Sequence, residues 1–298
     1  MHHAFLEILA SLRHLAPAWA IPLAWDPLKI SGDSSAKTLV LKNAEMLEED
    51  VEKFHNQVIG PESNALITGA TSGIGKEIAT AIALTGAAVC IAGQSSQRLS
   101  ALAERLSTTA RSVLVYESDL TNDSAIKILV RRLRRKFENL DILVHCAGAF
   151  TTGKIEITSL GQLDFLYRAN VRLPFALTQA LLPLLKLRRG QIVFINSSQG
   201  LEARANAGAF ALTQHALRAL ANSLRQEVNS DGIRVLSVYP GRTATPRMES
   251  LYETEGRNYH PELLIQPEDI AQAVMTSLQM PRTAEVTNFE IRPLIRSY

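Results

Sequence analysis

Eight residues, Thr68 to Gly75, read TGATSGIG and stand between a short apolar run, Ala65 to Ile67, and an alanine-rich helical stretch from Ile74 to Leu84. Few folds need a strand, a tight turn and a helix in that order with this many glycines. Without a Cβ, Gly69, Gly73 and Gly75 let the backbone turn sharply and bring unpaired N–H groups, at the positive end of the helix dipole, close to an anion. The spacing suits a pyrophosphate, and a dinucleotide is the expected occupant.

The rest of the chain supplies the frame for such a turn. From Asn64 onward, apolar strand signals recur at Ala88–Ala92, Ser112–Glu117, Ile142–His145, Gln191–Asn196, Arg234–Val238 and Val286–Ile291. Between them, Lys76–Leu84, Arg98–Leu106, Asp123–Phe137, Gln162–Leu187, Ala205–Val228 and Pro267–Leu278 carry apolar residues at helical spacing. Near-continuous apolar strands alternating with helices indicate a parallel sheet covered on both faces. The reading is an α/β, doubly wound, mostly seven-stranded parallel sheet, with ligands at the carboxyl ends of the strands. Residues 61–298 form this domain, and residues 1–60 form an N-terminal extension of unknown role with a helix expected over Ala44–Val58.

Composition excludes several functions. Lys and Arg total 31 against 29 Asp and Glu, a formal charge of +2, so no global field favours nucleic acid. The basic run Arg131, Arg132, Arg134, Arg135 and Lys136 reads as the solvated face of a helix. The two cysteines, Cys90 and Cys146, fall in apolar runs and read as reduced thiols of a cytoplasmic protein, not as a metal or disulfide framework. The most apolar N-terminal stretch, Leu15–Trp25, is broken by Pro17 and Pro22 and is about half the length of a membrane-spanning helix, so no transmembrane segment is expected.

Taken in order, these motifs resemble the short-chain dehydrogenase/reductase family from about Asn64 to Pro293. TGATSGIG resembles its TGxxxGxG cofactor loop, Asp119 with Leu120 its adenine-contacting pair, and HCAG at 145–148 the usual NNAG, with Gly148 kept. Asn170 matches the catalytic-helix Asn, and PGRTAT at 240–245 resembles the element whose Thr residues contact the nicotinamide half. The resemblance implies a Rossmann-type fold and a cofactor site made of Gly69, Ser72, Gly73, Ile74, Gly75, Ser95, Asp119, Leu120, Gly148, Pro240, Gly241, Thr243 and Thr245. It also implies a substrate lid around 245–264, a small carbonyl or alcohol as substrate, and a homodimer or homotetramer built through the two longest helices.

Counting from Gly190 places the family's catalytic Ser at Ser197, and the catalytic Tyr, thirteen residues on, at position 210. That residue is Phe210, and the Lys of YxxxK is replaced by Gln214. In family members the Tyr hydroxyl protonates the carbonyl oxygen as hydride arrives, and the Lys lowers the Tyr pKa and binds ribose. Two readings follow: an NAD(P)-dependent oxidoreductase with impaired or unconventional catalysis, using the retained Ser197 and Asn170, or a non-catalytic NADP(H)-binding sensor or structural partner. His215, His145 and Tyr239 are the nearest alternative proton donors, and each is expected to be structural. The second strand ends in Gly93, Gln94, Ser95 and Ser96 with Arg98 nearby and no carboxylate to hold a ribose 2′-OH, which favours NADP(H) over NAD(H).

Overall fold

The computed structural model describes residues 59–295. The expected helix over 44–58, and nearly all of the extension that carries it, lie outside them. Seven strands, β1 Asn64–Thr68, β2 Ala88–Gly93, β3 Ser112–Glu117, β4 Ile142–His145, β5 Gln191–Ile195, β6 Arg234–Pro240 and β7 Asn288–Ile291, form one sheet in the order β3-β2-β1-β4-β5-β6-β7. Every neighbouring pair is parallel. The chain winds outward from β1 to β3, then returns to β4 beside β1, so a crevice opens between the carboxyl ends of β1 and β4.

Alternate strand residues serve opposite faces. Leu66, Cys90, Leu143, Ile192 and Phe194 pack with α3 (Asp123–Lys136), α5 (Leu173–Lys186) and α6 (Gly208–Val228). Ile67, Val89, Ile91, Val144 and Leu236 pack with α1 (Gly73–Ala83), α2 (Ser96–Leu106) and α8 (Pro267–Leu278). On α5, Leu173, Leu177, Leu181 and Leu185 recur every fourth residue and are all buried, and each such leucine contributes about 1.5–3 kcal/mol of transfer free energy. The basic run on α3 is exposed, as expected of a solvated helix face. No helix among the described residues is long and apolar enough to cross a membrane.

The expected helix over 162–187 is instead three pieces: α4 (Leu160–Tyr167), a π-helical turn at Arg168–Arg172, and α5. Pro174 explains the break, because it has no N–H to give to the carbonyl of Asn170 four residues earlier, and the helical ladder must shift locally. Asn170 therefore sits on a widened turn and not on a regular helix. The expected lid segment also contains a helix, α7 (Pro246–Thr254), started by Pro246 and capped by Thr245, whose hydroxyl oxygen accepts from the Met248 N–H at 3.3 Å.

Candidate functional site

The turn after β1 is shaped by contacts that no side chain could share. A Cβ on Gly69, which has φ +70°, would lie 2.6 Å from the Ala147 nitrogen, and one on Gly75 would lie 2.4 Å from the Gly69 carbonyl oxygen. Thr68 fixes the mouth of the crevice: its hydroxyl donates to the Val144 carbonyl at 3.2 Å and accepts from the N–H groups of Cys146 at 3.1 Å and Ala147 at 3.2 Å. At the start of α1, Ser72 makes no side-chain cap and the first turn holds no acidic residue. The positive helix end is therefore left for an external anion, and the cradle fits the pyrophosphate of a dinucleotide.

On the β2 side, a Cβ on Gly93 would meet a Thr71 methyl at 2.4 Å, so the two loops close on each other. Gln94 then donates to Asp119 Oδ1 at 3.1 Å, which also accepts from the Thr121 N–H at 2.9 Å and hydroxyl at 2.8 Å. Desolvation pushes the Asp119 carboxyl up, but hydrogen bonds from Thr121 and Gln94 and the charge of Arg168 outweigh it and hold it below the usual carboxylate value. Leu120 beside it is buried. Ser95 caps α2 by accepting from the Arg98 N–H at 3.4 Å, which leaves its hydroxyl proton to give. Arg98 and Arg105 line a cleft of about 490 Å³ with Thr71, Ser72, Gly73 and Lys76. Among the described residues neither arginine has a carboxylate within ion-pair distance.

The residues expected at the family's catalytic positions come from the segment after β5, the π-turn and α6. Asn170 is buried and its amide is fully engaged: Oδ1 accepts from the Ala149 N–H at 2.7 Å, and Nδ2 donates to the Ala149 carbonyl at 2.9 Å and the Thr213 hydroxyl at 3.0 Å. Gly148 permits this approach, since a Cβ there would stand 3.0 Å from Asn170 Oδ1. Ser197 is half-buried, and its Oγ accepts only the Gln199 N–H, at 3.2 Å. Phe210 is 8% exposed and packs edge-on against Phe150, with ring centroids 4.8 Å apart at 79°. Gln214, one turn later, is buried, and only its backbone is hydrogen-bonded among the described residues, to Asn196 Nδ2 at 3.1 Å.

The alternative donors are placed elsewhere. His145 points to α5, its Nε2 2.8 Å from the Thr178 hydroxyl and its ring stacked on Phe194 at 4.8 Å. Burial pushes its pKa down to about 3, so it stays neutral near pH 7. His215 is exposed on α6 and Tyr239 is buried in β6. Because His145 has a folded pKa of about 3 against an ordinary 6.5, the unfolded chain binds the extra proton between those values and stability falls as pH falls through them. We expect His145→Asn to spare about 2 kcal/mol of the stability that the native protein loses between about pH 6.5 and pH 5. Urea unfolding of both proteins at the two pH values checks this, and equal losses would contradict it.

Sequence reading did not anticipate how the segment from Gly241 to Tyr259 is anchored. Gly241 N–H donates to the Ile291 carbonyl at 2.8 Å, Thr243 bridges Ile265, and the Ala244 N–H donates to the Ile265 carbonyl at 2.8 Å. The guanidinium groups of Arg242 and Arg257 lie 4.8 Å and 4.9 Å from the centre of the Tyr252 ring, Tyr259 meets that ring edge-on at 5.6 Å, and Arg242 pairs with Glu255 at 3.0 Å. The expected lid segment meets the glycine turn directly: a Cβ on Gly73 would stand 2.8 Å from a Thr245 methyl. Among the described residues no group of His, Cys, Asp and Glu could hold a metal ion.

The family model for short chain dehydrogenases matches residues 63–256. An uncharacterized oxidoreductase of Staphylococcus epidermidis is 32% identical over 234 residues, covering 78% of this chain and 98% of that protein. An alcohol dehydrogenase from the archaeon Thermococcus sibiricus, complexed with 5-hydroxy-NADP, has 25% identity and a TM-score of 0.71, covering 79% of this chain and 98% of that one. A short chain dehydrogenase from Burkholderia cenocepacia in complex with NADP has 26% identity and a TM-score of 0.69, covering 78% and 97%. With its sheet order, its glycine cradle and a family match over most of its described residues, the chain belongs to the short chain dehydrogenase family.

Proposed function

We propose that the protein binds NADP(H) in the cradle between β1 and β4 and that hydride exchange with a small carbonyl or alcohol is strongly impaired. One observation carries the reading: the residue at the proton-donor position is Phe210, held in an aromatic pair with Phe150. When bound, the cofactor would supply or accept a hydride. Ser197 Oγ retains its proton to polarise a carbonyl oxygen, and Asn170 ties the π-turn to Ala149 and to Thr213 of α6. Phe210 has no proton to deliver, and losing a positioned general acid costs on the order of 10² to 10⁴ in rate. Gln214 is neutral, so no charge stands there to favour a developing anion or to anchor ribose. In this reading the chain is a cofactor-binding protein whose residual turnover takes its proton from water.

Two relatives in complex with NADP or 5-hydroxy-NADP support the choice of cofactor. So do Ser95 and Arg98 beside the cleft, which can donate to a 2′-phosphate, while Gln94 is held by Asp119 and adds no second prong. Paired calorimetric titrations are expected to give NADPH about three- to tenfold tighter binding than NADH, the gap narrowing as salt screens exposed Arg98. Tighter NADH binding would reverse the assignment. NADPH oxidation measured beside these titrations over a panel of carbonyl compounds tests the whole reading: saturable binding with little turnover is expected, and brisk turnover would overturn it.

The proposed assembly is a homodimer or homotetramer. Phe165 on α4, Phe175 on α5 and Leu212 on α6 are 45%, 52% and 54% exposed, an apolar display that a second copy can cover. Light scattering at micromolar concentration is expected to report at least a dimer, and a monomer would argue against it.

A further inference from the structure

Arg247, the second residue of α7, was not among the expected cofactor contacts, yet its position ties the lid to the crevice. Its Nη2 donates to the Gly148 carbonyl at 2.6 Å. Its charge acts on the Cys146 sulfur, and that same sulfur faces Gly75 of the phosphate loop, whose N–H points to it and whose Cβ position lies 3.2 Å away. Two residues before Arg247, the Thr245 methyl stands 2.8 Å from where a Cβ on Gly73 would lie. The guanidinium is thus held against the loop after β4, two residues along α7 from the Thr245 that meets the glycine turn.

It is also an uncompensated cation. Among the described residues no carboxylate stands within ion-pair distance of Arg247. Its charge acts on the Cys146 thiol, which burial pushes up to about 12 and so keeps neutral. The residue is exposed at the surface, and the burial its guanidinium does undergo lowers its own pKa. A guanidinium offers five N–H donors in a planar fork, and Gly148 takes one. A guanidinium with spare donors near an open helix N-terminus suits a bidentate anion.

Resting on the reading that NADP(H) fills the cradle, we propose that Arg247 is a cofactor-binding residue that grips the diphosphate, so that α7 closes over the bound cofactor. Removing it should weaken every ligand that carries the diphosphate and spare a ligand that carries only the adenosine end. Arg247→Ala is expected to weaken NADPH and 2′-phospho-ADP-ribose by on the order of 10- to 100-fold, from the loss of charge-assisted hydrogen bonds. Arg247→Lys, which keeps the charge but not the fork, should fall between Arg247→Ala and the native protein.

The test is a fluorescence and calorimetric titration of the three proteins with NADPH, 2′-phospho-ADP-ribose and adenosine 2′-monophosphate, after thermal melts establish that each is folded. Native-like affinity of Arg247→Ala for NADPH, or an equal loss for adenosine 2′-monophosphate, overturns the proposal. If Arg247→Ala does not fold, the Lys variant carries the test: NADPH and 2′-phospho-ADP-ribose weakened with adenosine 2′-monophosphate unchanged supports the clamp, and NADPH affinity equal to native overturns it. Failure of the native protein itself to bind NADPH would instead remove the cofactor reading on which the clamp depends.

Discussion

Replacing Phe210→Tyr and Gln214→Lys together is expected to raise NADPH-dependent carbonyl reduction by on the order of 10² or more over the native protein, and by more than either change alone. The phenol supplies the proton that a phenyl ring lacks, and the ammonium favours the phenolate formed when that proton leaves. Each without the other is of little use, so a double-mutant cycle should be strongly non-additive. Phe210 keeps 8% of its surface exposed and meets Phe150 edge-on, so a para hydroxyl has a route outward without displacing the pair. Gln214 is only 4% exposed, and a lysine there enters a desolvated site. We therefore expect the double variant to melt below the native protein when free and to recover most of the loss with NADPH, because a ligand that binds only the folded state stabilises it. A cycle in which the native protein is already active, and in which neither change nor the pair improves it, would show that a different donor is used and would turn attention to His215, His145 and Tyr239.

Gly73→Val is expected to abolish NADPH binding, a loss of at least 100-fold or about 2.8 kcal/mol. Gly73 has φ +54°, a region costly for any β-branched side chain, and its Cβ would press on the Thr245 methyl at 2.8 Å. The valine would also stand where backbone N–H groups must approach the pyrophosphate. The position lies at the start of α1, outside the two packed cores, so the sheet should survive the change. A folded variant that still enhances NADPH fluorescence like the native protein would remove the loop from the site.

Much of this architecture was legible in the sequence because it rests on local signals. Apolar runs of four to seven residues mark strands buried on both faces, and all seven strands fall within two residues of the expected bounds at either end. The proposed assignment of Phe210 to the proton-donor position rests on sequence alone, on its fixed count from Ser197. What escaped depends on packing. The π-turn arises from one proline, Pro174, inside an otherwise helical apolar pattern, and periodicity alone does not show which backbone bonds it removes. His145 lies at the mouth of the crevice in sequence, but strand alternation sends its ring to Thr178 and Phe194 on the α5 face. The expected lid segment has a mixed composition with no clean periodicity, and the positions of Arg242, Arg247 and Tyr252 follow from contacts across the fold. Thr68 carries no signal beyond its place before Gly69, although its hydroxyl joins β1 to the β4 loop.

The central claim is that the chain keeps the cofactor cradle and has lost proton delivery. It is tested most directly by a single-turnover experiment in which the native protein, saturated with NADPH, is mixed with excess carbonyl compound and nicotinamide absorbance is followed. Bound NADPH should stay reduced over a time in which the Phe210→Tyr, Gln214→Lys double variant oxidises it completely. Oxidation of NADPH by the native protein at the rate of the double variant would contradict the account.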